Sequence, residues 1–337
     1  FRQGLFNMSS DSHLFRTKNQ LASNDFVLNG NIFIKRSNIE ERYLPLYEAK
    51  MGWFFDHRFG SHQGLDARAK ELPTPDENTY ANCNYIVQPW YWVSEESVNN
   101  NLPNTNYKWH LTFRSITDSR NERSGVFSVI PFSGVGNSSP LIFFEKRNTT
   151  NIVCLIGSFS SFVFDYCVRQ KLSGMNMNFL FVKQYPVLAP DSFTSTIKRQ
   201  IVPFVLELIY TAWDIKAFAD DVWKDADADL RAAIQQQWEA NQAATGGHEW
   251  APPEWCEIDP EGYPLPPFKW DEERRAVLKA ELDAIYAKLY GLSTEELRYI
   301  LDPQDVYGPD FPGETFRVLK EKEIKQFGEY RTRRLVL

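Results

Sequence analysis

The sequence predicts an α+β fold, strand-dominated over residues 1–190 and mainly helical over 191–337, and three patterns carry that expectation. Between residues 107 and 114, Tyr107, Trp109, Leu111 and Phe113 alternate with Lys108, His110, Thr112 and Arg114. A period of two marks a strand buried on one face, here with a cationic face opposite. Past Pro190 the texture changes: 204–215 is aromatic and aliphatic, and 217–244 is rich in Ala, Asp and Gln. Further on, Leu278, Leu282, Ile285 and Leu289 recur at helical spacing.

Taken in order, the strand signals lie at 31–35, 85–93, 107–114, 125–131, 141–145 and 178–182, separated by Asn, Ser, Gly and Pro clusters that mark turns. They suit a twisted, mostly antiparallel sheet. One helix is expected among them: from Ile152, the residues Leu155, Ile156, Phe159, Phe162, Val163 and Tyr166 form one broad stripe, with Gly174 and Asn176 as the stop. A boundary near 190 divides the chain into domains 1–190 and 191–337. Within the second, 246–270 holds six of the nineteen prolines and three tryptophans and reads as a long loop. Helices resume at Asp271, which can cap the first, and Ser293 with Glu296 has the spacing of a capping box.

The 337 residues are 43% hydrophobic and 15% aromatic, ample for a sizeable core. No run of eighteen apolar residues occurs, so no membrane span is expected. The chain opens at Phe1 without the basic-then-apolar grammar of a secretory signal, and reads as cut from inside a longer, cytoplasmic protein. Cys83, Cys154, Cys167 and Cys256 lack metal or disulfide spacing and are expected to be free thiols, with no metal site. The net charge of −7 hides an asymmetry: residues 1–190 carry 19 Lys and Arg against 16 Asp and Glu, residues 191–337 carry 18 against 28. A nucleic-acid face therefore belongs to the first part.

Residues 132–137 (FSGVGN) echo a cofactor-cradling glycine turn, but that turn needs a following helix and 140–144 (PLIFF) reads as a strand. A tight turn between strands is the expectation. The Asn/Asp-Pro-Pro-Tyr/Phe tetrapeptide of amino-methyltransferases is absent, so no catalytic residue is assigned. Glu48-Ala49-Lys50 is half of a metal-nuclease pattern and lacks a preceding Pro-Asp pair, which makes a complete nuclease the weakest alternative. What remains is a set of cations on expected loops or strand edges: Lys50, Arg58, Arg114, Arg120, Arg123, Lys146, Arg147, Arg169 and Lys171. Such side chains neutralise phosphates or reach guanine edges.

Residues 43–51 (YLPLYEAKM), 55–59 (FDHRF), 109–123 (WHLTFRSITDSRNER), 133–141 (SGVGNSSPL), 162–171 (FVFDYCVRQK) and 186–190 (PVLAP) resemble the recognition region that follows the catalytic domain in large Type IIG-like restriction-modification methyltransferases. Residues 210–214, 268–275 and 302–308 resemble that family's C-terminal helical part. The resemblance implies a target-recognition domain followed by a helical bracing domain, belonging to a DNA N6-adenine methyltransferase of phage defence. Double-stranded DNA and an N-terminal catalytic domain would be the partners, and S-adenosylmethionine would be bound by that domain and not by this chain. Within this reading Lys50, Arg58 and Lys171 are assigned to phosphates, and Arg114, Arg120 and Arg123 to base edges. A free-standing specificity or protein-interaction subunit is the alternative.

Overall fold

A computed structural model describes residues 1–102, 108–145, 147–172, 174–248 and 251–337. Tyr107 and Lys146, named above, lie outside the described residues. After a short helix α1 (Lys18–Ala22) the chain forms a hairpin of β1 (Phe26–Asn29) and β2 (Ile32–Lys35), in which Asn29 faces Ile32. Gly30, at φ 64°, supplies the left-handed position that so tight a turn requires.

β3 (Arg42–Tyr47) continues this sheet and changes neighbour along its length. It pairs antiparallel with β4 (Trp92–Ser94) from Tyr43 to Pro45, and Leu46 N carries that pairing on to the Tyr91 carbonyl. It also pairs antiparallel with β2 at Arg42 and Tyr43, and in parallel with β7 (Gly134–Val135) at Leu46 and Tyr47. Helices α2 (Glu77–Ala81) and α3 (Glu95–Asn100) flank β4 in sequence. The second sheet runs β6 (Phe127–Pro131), β5 (Trp109–Phe113), β8 (Leu141–Ile142), all antiparallel to β5.

The glycine turn of 132–137 is thus the link between the sheets, and a strand follows it as the sequence predicts. Its glycines answer to packing. A Cβ on Gly134 would stand 2.5 Å from Val93 Cγ1 in the neighbouring strand, far inside contact distance.

The helical part comprises α4 (Thr149–Ser160), α5 (Phe162–Lys171), α6 (Phe179–Val182), α7 (Ser195–Ile209), α8 (Lys216–Asp225), α9 (Ala228–Thr245), α10 (Glu272–Leu289), α11 (Thr294–Leu301), α12 (Pro303–Tyr307), α13 (Arg317–Phe327) and α14 (Arg331–Val336). Asp271 caps α10 and Ser293 with Glu296 forms the capping box of α11, both as expected. The largest apolar cluster joins Phe113, Phe127 and Phe164 to Leu206, Phe218 and Tyr286, so the core runs unbroken past residue 190. Among the described residues no single helix is long and apolar enough to cross a membrane.

Several expectations need correction. The single helix from Ile152 is two, α4 and α5, bent by 61°. Ser161 is extended, its Oγ accepts from Phe164 N, and Asp283 of α10 takes the Phe162 N–H at 2.7 Å. The apolar stripe continues across the break, where Ser161 caps α5 locally and Asp283 adds a bond from a distant helix. Residues 178–182 form α6 and not a strand, since Asn178 Oδ1 accepts from Leu180 N and Phe181 N and starts a helical turn. The strand at 85–93 shrinks to Trp92–Ser94. β5 has no cationic face: His110 and Thr112 are buried, and burial pulls the His110 imidazole down to about 4, so it sits in the core uncharged.

Asp165 of α5 holds the turn before β6. Its Oδ1 accepts from Ser124 N at 2.9 Å and from Gly125 N at 2.5 Å, and its Oδ2 from Arg169 Nε at 3.0 Å, all fully buried. Asp165→Ala would leave two N–H groups unpaired and the Arg169 guanidinium without its carboxylate. A loss of about 3–5 kcal/mol is expected in denaturant unfolding, against under 1 kcal/mol for an exposed carboxylate such as Glu295.

Candidate nucleic-acid interface

Six cations were singled out for DNA, and the structure separates them sharply by exposure. Arg58 is fully buried and donates to the carbonyls of Tyr80, Asn82, Tyr85 and Thr211 and to Thr211 Oγ1. Arg123 is 4% exposed, lies over the Phe162 ring at 4.0 Å, and donates through Nη2 to the Ser160 carbonyl. Arg114 donates to the Ala49 and Gly52 carbonyls and stacks over Trp53 at 4.6 Å; burial pulls its guanidinium down to about 10. These three are internal struts, which corrects the assignment of Arg58 to a phosphate and of Arg114 and Arg123 to base edges. Five donors in a planar fork suit carbonyl-rich loop interiors as well as they suit nucleic acid, and the sequence does not separate the two.

Arg169 and Arg147, also placed on loops by the sequence, are engaged too. Arg169 sits on α5 and its guanidinium binds the carbonyls of Ser119, Asn121 and Glu122 as well as Asp165. Arg147 pairs with Asp221 of α8. Lys50 is half-buried, with Nζ on the Ala69 carbonyl and 3.4 Å from Glu48.

Arg120 and Lys171 remain at the surface. Arg120 forks onto Asp118 with bonds of 3.0 and 2.7 Å, and its side chain is 78% exposed. Ion pairs this exposed are worth little, so the fork is readily exchanged for another anion or a base. Lys171 ends α5, exposed, with Nζ 3.5 Å from Gln184 Oε1.

Close in sequence to these two cations is a feature the sequence did not announce. Residues 115–117 and 175–177 lie side by side as a short antiparallel ribbon, with Thr117 N to Met175 O at 3.0 Å, Met177 N to Ser115 O at 2.8 Å and Ile116 opposite Asn176. Ile116 is 59% exposed, Met175 60%, and Leu180 on the adjoining α6 70%. Lys183, at the end of α6, is exposed beside Phe1. An apolar tip flanked by cations and amides emerges, and its base is fixed: the 118–125 loop is bound by Arg169 and Asp165, and Phe179 packs on Phe113. Ile116 and Leu180 were legible only as generic apolar residues, because a single sequence does not distinguish an exposed one from a core one.

A second charged group lies below. Glu48 accepts from His62 Nε2 at 3.0 Å and from Arg68 Nη2 at 2.6 Å. Burial by itself would raise its carboxyl, but the bonds from His62 and Arg68 and the charge of Lys50 outweigh burial and hold it at about 2. It is a fixed anion that binds three cationic or donor groups and takes Lys50 and Arg68 away from any partner.

No known protein family, curated protein or solved structure matches this chain.

The Glu48 cluster predicts an acid limit. Its carboxyl is depressed in the folded state, so its stabilisation is present above about pH 4.5 and is lost as pH falls toward 2. Glu48→Gln should cost about 1–3 kcal/mol at pH 7 and flatten the stability profile between pH 4.5 and 2, read by urea unfolding at each pH. An unchanged slope would show that the cluster contributes nothing to acid tolerance.

Proposed function

We propose that this chain reads duplex DNA for a cytoplasmic N6-adenine methyltransferase of the restriction-modification type, with the ribbon of 115–117 and 175–177 as the part that enters a groove. The observation that carries the reading is the composition of that tip: exposed Ile116, Met175 and Leu180 framed by Arg120, Lys171 and Lys183. Cations take phosphates and set register, apolar side chains press against sugar or thymine methyl surfaces, and amides such as Asn121 and Asn176 match base edges. The resemblance of 109–123 and 162–171 to the recognition region of such enzymes covers the two segments that form and support the ribbon. Methyl transfer would occur in a separate N-terminal domain that binds S-adenosylmethionine and receives the flipped adenine.

The same apolar tip favours a protein partner if the chain is instead a specificity or protein-interaction subunit, and one experiment separates the two. Fluorescence anisotropy with a random duplex, titrated at several salt concentrations, should show binding whose logarithmic salt slope drops by about one unit in Lys171→Ala and again in Lys183→Ala. Arg120→Ala should cost about 1–3 kcal/mol at a selected site and relax the choice at one base pair. Arg58→Ala, in contrast, should unfold the protein before it informs on DNA. Absence of duplex binding at about 50 mM salt, or identical slopes in all variants, would remove the DNA reading and leave the protein partner.

A further inference from the structure

Away from the ribbon, a cavity of about 350 Å³ opens where the 122–123 turn, the Ser161 break, α10, α13 and α14 meet. That is the size of a small-molecule site. Its walls are part apolar, with Phe54, Phe162, Leu282 and Leu319, and part charged, with Arg123, Lys279, Lys322 and Arg331 among the carboxylates of Asp283 and five glutamates. A packing defect in a core is apolar and dry, whereas this space has buried ionisable groups in its wall. Two ion pairs edge it on the solvent side, Lys322 with Glu122 at 2.8 Å and Arg331 with Glu273, so α13 and α14 are tied to the elements beneath them.

The charged wall is incompletely satisfied. Arg123 lies between the rings of Phe162 and Phe54, at 4.0 and 4.9 Å, and is held on one side by the Ser160 carbonyl; its Nη1 is buried without a hydrogen-bond partner. A buried unpaired donor on a charged group costs about 1–3 kcal/mol or more. Asp283 uses Oδ1 for the Phe162 N–H. Lys279 is half-buried in the same wall, its ammonium pulled down by burial and by the fully buried Arg275 and Arg123, against Glu272 and Glu122. The lining carboxylates Glu122, Glu273, Asp283 and Glu323 are each engaged by other groups, and none of them bonds Arg123 Nη1.

We propose that this cavity binds a small organic monocarboxylate, its carboxylate received by Arg123 and Asp283 and its apolar body lying on Phe54, Phe162, Leu282 and Leu319. Binding requires the guanidinium to turn so that Nη1, closed off in the free cavity, reaches one ligand oxygen, while the second oxygen takes the proton of a neutral Asp283. Burial pushes the Asp283 carboxyl up to about 7, against Arg123, the Phe162 N–H and Lys279. The other titratable groups facing it are Asp165 of α5 and Tyr330 between α13 and α14. Glu323 of α13 also lines the cavity, but both its oxygens are taken by Thr332. The free cavity has shed the Asp283 proton above pH 7 and the occupied one retains it. Binding therefore takes up a proton there, and affinity falls as pH rises.

The test is calorimetric titration of the full chain with benzoate, 2-naphthoate, indole-3-acetate and decanoate, with 2-naphthylmethanol as the neutral match in size. At pH 6.5 at least one acid should saturate with Kd of about 10–500 μM, and the alcohol should bind at least about tenfold more weakly. At pH 8.5 the acid should bind about tenfold more weakly or worse, and buffers of different ionisation heat should report uptake of up to one proton. Asp283→Asn, which keeps an oxygen for Phe162 N, should keep binding at pH 8.5 and lose the proton uptake. Arg123→Met should weaken the acid about tenfold or more; if it does not fold, Leu319→Trp, which fills the cavity, should abolish binding. No saturation by any acid below about 5 mM, equal binding of acid and alcohol, or full binding by Leu319→Trp would each overturn the proposal.

Discussion

The Arg58 guanidinium is the interaction on which the two halves of the chain depend. Moving a charge from water into an apolar interior is expensive unless donors are matched, and here four carbonyls and a hydroxyl from two separate stretches serve its two Nη groups. Tyr80, Asn82 and Tyr85 belong to the end of α2 and the turn after it, and Thr211 to the bend after α7. Neither stretch folds against Arg58 without the other. The surrounding contacts repeat the theme: His57 Nε2 meets Asp214 Oδ1 at 2.8 Å, Tyr80 stacks on Trp270 at 3.9 Å, and Arg275 of α10 lies over Trp270 and donates to the carbonyls of Leu208 and Phe55. Phe55 itself adopts φ 58°, a left-handed conformation that an aromatic residue holds only when its neighbours impose it.

That joint explains why the core ignores the change of texture at residue 190. A composition shift records which elements are strands and which are helices, whereas cohesion is decided by who buries whom. α4, a helix of the first part, packs on α7 and α8 of the second, and β6 feeds Phe127 into the same cluster. The helical part is as much wall as brace.

The α+β class, the helices after Asp271 and the strands at 32–35, 109–113 and 127–131 were legible because each rests on local grammar: caps, turns and short-range periodicity. Misreadings arose where one capping group, near or distant, decides. Asp283 breaks the α4–α5 stripe from the far side of the chain, and Asn178 turns an aromatic-aliphatic run into a helix by a single cap. The candidate interface was legible only in part for the same reason. An arginine in a loop has the same letters whether it points to solvent, as Arg120 does, or inward to carbonyls, as Arg58 and Arg114 do. The backbone that a guanidinium will serve is a tertiary fact.

The lacing of the 118–125 loop has an evolutionary consequence. Arg169 and Asp165 grip main-chain atoms of Ser119, Asn121, Glu122, Ser124 and Gly125, and make no demand on the side chains those residues carry outward. The loop's shape is therefore stored in α5, while its chemistry is written at Ile116, Arg120 and Asn121. On the proposed reading, a surface built this way would change what it recognises by substitution at its tip without reopening the question of how it folds, which leaves a lineage under pressure to alter its target a position-by-position route for doing so.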